Sequence, residues 1–218
     1  MAYERKDHFY KRAKREGKVS RAVYKLAELQ KRFHLVKRGD VVLDLGCAPG
    51  GWMREVSPLV GDSGRVIGID LLPLKTSVPK NSLFIRGDLT DEKSRKALRD
   101  ASGGEASCVL SDMAPNLSGV AFADAYRSFE LATLALDVCD EMLKEGGSFV
   151  VKIFPGDELE NYLASLRERF AKVAMLTPEA TRKTSSERYI VCQGFKNKKP
   201  APLSGHGLLS GKGDGGLG

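Results

Sequence analysis

No stretch of the chain approaches the roughly 20 consecutive apolar residues that a bilayer-spanning helix requires, which argues against such a helix. The first residues, Met1-Ala2-Tyr3-Glu4-Arg5-Lys6-Asp7, contain no apolar segment and mix acids with bases, unlike a secretory signal or a transit peptide. A cytoplasmic protein with no membrane partner is therefore expected. Cysteine is scarce: Cys47, Cys108, Cys139 and Cys192 form no C-x-x-C pair and have no histidine at zinc spacing. Cys108, Cys139 and Cys192 sit among apolar neighbours, where a free thiol behaves as a small hydrophobe, so core cysteines are expected instead of a metal site or disulfides. Of the histidines, His8 and His34 stand alone and His206 lies in a Gly-rich stretch, which offers no ligand set for a metal.

What is present fits one soluble domain. Hydrophobic residues make up 42% and charged residues 29% of 218 positions, enough to bury a single sizeable core. The net charge of +7 is distributed unevenly. Residues 1–38 hold thirteen lysines and arginines against Glu4, Asp7, Glu16 and Glu28, a balance of +9 that leaves the remainder near −2. Tyr3, Phe9, Tyr10 and Tyr24 are interleaved with the bases, and rings of this kind can stack on unpaired nucleobases. A basic arm on a near-neutral body reads as a polyanion binder, with Lys11, Arg12, Lys14, Arg15, Lys18 and Arg21 as the candidate contacts. The organisation expected is a basic arm and first helix at 1–38, packed on a core at 39–195, then a tail at 196–218. In that tail, residues 201–218 hold 7 of the 23 glycines and no aromatic residue, a composition that suits disorder.

Between arm and tail, helix and strand patterns alternate. Ser20 is a suitable N-cap for an amphipathic helix over 21–33. Short apolar runs predict strands at 41–45, 65–70, 82–86, 107–112, 147–153, 172–176 and 188–195. Helices are predicted near 52–60, 91–101, 123–143 and 157–170, the long one closed by Gly146-Gly147 as a C-cap signal. This order indicates an α/β fold: a doubly wound, mostly parallel seven-stranded sheet with helices on both faces, Rossmann-like. The last two strands follow each other without a helix, so one of them should run antiparallel.

Lys152 is out of place in Ser148-Phe149-Val150-Val151-Lys152-Ile153-Phe154. An unpaired ammonium in a buried strand is costly, so it must be paired or aimed into a cleft, unless it snorkels from an edge strand. Carboxylates fall at the ends of four predicted strands, Asp44, Asp70, Asp88 and Asp112, where ligands of such sheets bind. The first turn, Asp44-x-Gly46-x-x-Pro49-Gly50-Gly51, has alanine at 48 where a dinucleotide fingerprint needs glycine, and it has no Gly-Lys-Ser/Thr. Such a loop approaches a ligand closely without a phosphate cradle. An acid in the place of Asp70 can accept both hydroxyls of a ribose. A cationic, phosphate-free adenosine compound fits this crevice, and S-adenosylmethionine matches.

Several segments together carry a resemblance. They are Ala13-Lys14-Arg15-Glu16-Gly17, Ser20-Arg21-Ala22-x-Tyr24-Lys25-Leu26, Asp44-Leu45-Gly46-x-Ala48-Pro49-Gly50-Gly51-Trp52, Ser111-Asp112-Met113-Ala114-Pro115-Asn116-x-Ser118-Gly119, Gly146-Gly147-Ser148-Phe149-Val150-Val151-Lys152 and Ser186-Glu187-x-Tyr189. In that order, over about residues 11–195, the chain resembles the FtsJ/RrmJ (RlmE) family of S-adenosylmethionine-dependent ribosomal RNA ribose 2′-O-methyltransferases. The resemblance implies a catalytic tetrad of Lys25, Asp112, Lys152 and Glu187. It implies cofactor contacts at Gly50, Trp52, Asp70, Asp88 and Asp112. Asp44, Gly46, Pro49 and Gly51 of the first turn, with Leu71 and Leu89 beside the strand-end acids, complete the cofactor-binding set expected here. The implied substrate is a uridine ribose in large-subunit ribosomal RNA, met by a monomer.

The chemistry of these residues suits that reading. Methyl transfer to a ribose hydroxyl requires the oxygen to be held in line and relieved of its proton, and a lysine amine can do either. Glu187 steers Lys25 or Lys152, or accepts a ribose hydrogen bond. Transfer RNA or a messenger RNA cap is the alternative substrate, and a non-catalytic RNA-binding assembly factor is the alternative class. Base methylation is disfavoured, because the chain has Met113-Ala114-Pro115-Asn116 where amino-group enzymes carry Asn/Asp-Pro-Pro-aromatic, and no Pro-Cys for attack on cytosine.

Overall fold

Short runs of β-branched and aliphatic residues, buried on both faces, form the central strands, and amphipathic stretches form the helices between them. A computed structural model describes residues 8–182 and 184–196. The chain order is α1 (His8–Arg15), α2 (Ala22–Phe33), β1 (Val41–Leu45), α3 (Gly51–Val60), β2 (Arg65–Asp70), β3 (Ser82–Arg86), α4 (Glu92–Ser102), β4 (Ala106–Ser111), α5 (Ala121–Met142), β5 (Leu143–Ile153), α6 (Leu159–Arg169), β6 (Phe170–Leu176) and β7 (Arg188–Phe195). Residues 1–7, including Tyr3, Arg5 and Lys6, and the tail from 197 lie outside the described residues.

The strands make one seven-stranded sheet in the order β3-β2-β1-β4-β5-β7-β6. β1, β2, β3, β4 and β5 pair in parallel, while β7 runs antiparallel to both β5 and β6, as the direct β6–β7 succession requires. Alternation along the strands sends side chains to two cores. Leu43, Ile67, Val109, Phe149 and Val151 meet α4, α5 and α6 through Leu98, Leu136 and Leu166. Val42, Val66, Leu110 and Val150 meet α2 and α3 through Leu26, Leu29, Met53 and Val56.

Two local expectations are corrected. Gly146-Gly147 does not cap the long helix: α5 stops at Met142, and Leu143 is already extended (φ −84°, ψ 126°) and paired with Ala106 of β4. The next pair is Cys108 with Ser148, so residues 144–147 loop out of the ladder, with Gly146 at φ 76° in the left-handed region. The N-cap of α2 is Arg21, not Ser20; the Ser20 hydroxyl instead accepts the Ala22 N–H at 3.3 Å, one position short of the usual cap. Asp91 does cap α4, accepting from the Lys93 N–H.

Candidate active site

The period-two rule places the site. Val150 and Lys152 share the face of β5 that looks toward α2 and α3, and Lys152 pairs directly with Tyr189 of β7. β5 lies between β4 and β7, so Lys152 is not a snorkelling residue on an edge strand. It is the last residue but one of β5, where its amine donates to the Asp112 backbone oxygen (2.5 Å) and carboxylate Oδ1 (2.9 Å). Asp112 begins the loop after β4, adjoining the carboxyl end of β1, with its N–H bonded to Leu45 O. Across the face, α2 presents Lys25, which donates to Glu187 Oε1 at 2.5 Å and to the Tyr189 hydroxyl at 3.3 Å. Tyr189 in turn donates to Asp112 Oδ1 at 2.5 Å.

The four expected residues are thus joined in one line, Glu187–Lys25–Tyr189–Asp112–Lys152, with a member that the sequence reading did not assign. Tyr189 was signalled by its spacing: it lies two positions after Glu187, which precedes β7, and its hydroxyl reaches the same Lys25 amine. Glu187 pairs with Lys25 and makes no bond to Lys152. Lys25, Lys152 and Glu187 are 5%, 8% and 7% exposed, while the Asp112 side chain keeps 22% accessible. Charges buried this deeply persist only when paired.

Electrostatics sorts their roles. Burial would raise the Asp112 carboxyl, but the Lys152 and Lys25 charges and the hydrogen bonds from Tyr189 and Lys152 outweigh it and hold it below the ordinary carboxylate range. Burial, then the Asp112 and Glu187 charges, pushes the Tyr189 phenol well above its usual value, so it remains a donor. The arrangement can therefore hold an acceptor hydroxyl beside an amine anchored by an ionised carboxylate. Two N–H bonds of the Lys152 amine are committed to Asp112, and one tetrahedral direction is left over. Burial raises the thiols of all four cysteines, which are free and buried, so none is poised as a nucleophile.

The expected cofactor positions adjoin this line but are not equivalent. Gly46 has φ 72°, and a Cβ there would lie 2.6 Å from Met113 Cγ; Gly50 has φ 103°, with Thr76 Oγ1 as close. Pro49 O accepts from Lys75 N–H at 3.2 Å, drawing the loop after β2 across this turn. Asp70 ends β2 and accepts the Ala48 N–H and the Leu72 N–H, both at 2.8 Å, through different oxygens. Each oxygen retains a lone pair. Asp88 accepts twice from Thr90, and these bonds, backbone first, lower its pKa. Leu71 is exposed, whereas Leu89 belongs to the core, so only its backbone can face a ligand. The same holds for Trp52, whose indole N–H donates to Ala22 O and whose ring packs near Tyr189. Gly51, the first residue of α3, backs onto Val23.

Asp44 is unlike the other acids. It is not a strand-end residue but the fourth of five in β1, fully buried, and neither carboxyl oxygen has a hydrogen-bond partner. Burial first, then the Asp112 and Asp70 charges, lifts its pKa well above the usual range; the nearby Met53 N–H, short of full bonding geometry, opposes this only in part.

On the arm, Lys11, Lys14 and Arg15 are exposed and line an open groove with Tyr10. Arg12 is bonded to Glu16 and stacked on Tyr24, and Lys18 is bonded to Glu55 at 2.6 Å. Arg21 faces the site closely enough to lower the Tyr189 phenol against the stronger effects that raise it. Loop 113–120 is organised by Asp124, which accepts from the Ser118 N–H and hydroxyl and the Gly119 N–H.

Comparison with known proteins places the chain in a family. The FtsJ-like methyltransferase family profile matches residues 18–195. A ribosomal RNA large subunit methyltransferase E from Methanocaldococcus jannaschii is 42% identical over 198 residues, covering 89% of this chain and 81% of its own. The enzyme of that name from Methanococcus maripaludis is 43% identical over 193 residues, 88% of this chain and 75% of its own. Among solved structures, a Plasmodium falciparum protein described as a ribosomal RNA methyltransferase superposes with a TM-score of 0.70 at 28% identity, covering 81% of this chain and 97% of that one. With a family profile matched over most of its length and relatives more than 40% identical, this chain belongs to the FtsJ-like methyltransferase family.

Proposed function

We propose that the protein transfers a methyl group from S-adenosylmethionine to the 2′-hydroxyl of a ribose, that of a uridine, in large-subunit ribosomal RNA. The observation that carries this reading is the amine of Lys152 anchored on Asp112 at the carboxyl edge of the sheet. The crevice beside it suits a cationic adenosine compound without phosphates. Asp70 has lone pairs left for ribose hydroxyls, and Asp44 is a buried carboxyl with no partner of its own. Asp70, Asp88, Gly46 and Gly50 would hold the compound, with Trp52 and Leu89 contributing backbone only. When bound, S-adenosylmethionine supplies an electrophilic methyl on a sulfonium.

The chain's own residues supply position and proton transfer. Asp112 fixes the Lys152 amine, Tyr189 fixes Asp112, and the Lys25–Glu187 pair fixes Tyr189. A neutral Lys152 amine, with both protons committed to Asp112, would turn its lone pair to the ribose hydroxyl and take its proton. An ammonium would instead hold the oxygen in line while the proton leaves to water. Lys11, Lys14 and Arg15 would meet the RNA phosphates.

The test is methyl transfer to large-subunit ribosomal RNA by wild type and Lys152→Ala, with cofactor affinity measured alongside. Turnover should fall by at least the 10²–10⁴-fold typical of a lost acid–base group, with cofactor binding kept. Unchanged methylation in Lys152→Ala would refute the mechanism. Ribose-methylation mapping that found transfer RNA or a cap modified instead would refute the substrate.

A further inference from the structure

We infer that the aromatic pocket between the start of α5 and the β5–α6 loop is a nucleobase subsite, taking the unpaired base next to the methylated ribose. This rests on the reading of the protein as an RNA ribose methyltransferase. Phe122, Tyr126 and Phe129 lie at i, i+4 and i+7 of α5, one face of the helix, and with Phe154 they line a pocket of about 80 Å3. Phe129 is its fixed floor, set edge-on against the buried Tyr162 at 6.0 Å and 87°. Phe122 and Tyr126 are 69% and 45% exposed, an unusual state for two rings side by side over an open hollow.

The pocket is tied to the catalytic line. Phe154 follows Lys152 by two residues, about 7 Å at the rise of a strand, the scale of one nucleotide. The Phe154 N–H donates to Ser128 of α5 at 2.9 Å, and Gly156 lets α5 approach the loop, since a Cβ there would meet Ala125 Cβ at 2.8 Å. Helix and strand end are therefore held in fixed relation, and an RNA whose ribose reaches Lys152 carries its flanking base to these rings.

The remaining lining identifies the occupant. Asp157 and Glu158 also line the pocket. Two carboxylates repel a phosphate and accept from N–H donors, so the fitting group is flat, not anionic and edged with N–H. An unpaired nucleobase has these properties, stacking on aromatic faces and offering its edge to acceptors.

The experiment uses the full chain and single-stranded RNA oligonucleotides spanning the modified position, intact or abasic at either neighbouring position. Binding is read by anisotropy and methylation by turnover. Phe122→Ala/Tyr126→Ala removes exposed rings, and its melting curve should match wild type. Its Kd for intact RNA should rise about 5- to 150-fold, the range of one lost base stack, with cofactor affinity retained. The wild-type preference for intact over abasic RNA should vanish, and Asp157→Asn should alter which neighbouring base is preferred. Wild-type affinity and preference in the double variant would overturn the subsite. So would normal handling of protein-free RNA combined with loss of methylation only on assembled subunits, which would assign the rings to a protein partner. Loss of binding in the variant while wild type methylates no RNA would leave the subsite standing and refute the reaction instead.

Discussion

The Lys25–Glu187 pair provides a sharp test of how the site is built. Its side chains are 6% and 9% exposed and meet at 2.5 Å, so removing one partner leaves the other charge buried and uncompensated. Breaking a buried pair in this way costs about 3–5 kcal/mol. For a chain of this size, each kcal/mol corresponds to roughly 2–4 °C in Tm, so Lys25→Met or Glu187→Gln should lower Tm by roughly 6–20 °C. The Tyr189 hydroxyl, 3.3 Å from the Lys25 amine, offers little relief, since it already donates to Asp112. The double variant Lys25→Met/Glu187→Gln leaves no orphan charge and should cost about as much as either single variant, a coupling of about 3 kcal/mol. Urea unfolding of the four proteins at constant pH and salt measures the cycle. Methyl transfer should stay low in all three variants, because the support of Tyr189 is gone in each. Additive losses, within about 0.5 kcal/mol, would refute the claim that the two groups persist only as a pair.

Further outcomes follow from other parts of the site. Asp44→Asn should become progressively more stable relative to wild type as pH rises above about 4. The raised pKa keeps the folded carboxyl protonated where the unfolded one ionises, so wild type loses stability through that window; a pH-independent difference in urea midpoints would contradict it. Gly46→Ala places a Cβ at φ 72° and 2.6 Å from Met113, which should cost at least about 1–2 kcal/mol and weaken cofactor binding by calorimetry; wild-type values in both would refute the close approach. Neutralising Lys11, Lys14 and Arg15 should flatten the salt dependence of RNA binding by about 2 in log–log slope, whereas Lys18→Ala, with Lys18 already bonded to Glu55, should change it less. Equal effects of the triple and single variants would show that the exposed face of α1 is not the contact surface.

Much of this was legible in the residues. Short apolar runs in Val41–Leu45 and Arg65–Asp70 and the helix–strand succession led directly to a doubly wound sheet with an antiparallel strand near its end. The oddity of Lys152 pointed to a site because burial penalises an unpaired charge wherever it occurs. Where the reading failed, long-range pairing prevailed over local signals. Gly146-Gly147 carried a helix-stop pattern, but Leu143 pairs with Ala106, and that ladder ends the helix at Met142, before the glycines are reached. The strand holding Asp44 was read with its observed bounds, 41–45, but the complete burial of its carboxyl without a partner was not legible in it.

The sequence by itself determined which groups had to find partners: a lysine in an apolar strand, acids beside glycine turns, and an excess of bases in the first 38 residues. These follow from composition and periodicity, which act over a few neighbouring positions. Only the tertiary structure decided who the partners are. Lys25 and Glu187 are 162 residues apart and meet because α2 packs across the strand that begins at Arg188. Tyr189 joins the line because antiparallel pairing sets it opposite Lys152. Arg12 and Lys18 looked like Lys11 and Lys14 in the chain, but Glu16 and Glu55 already hold them. Charge is a local property, whereas its neutralisation depends on which surfaces the fold brings within a few ångströms.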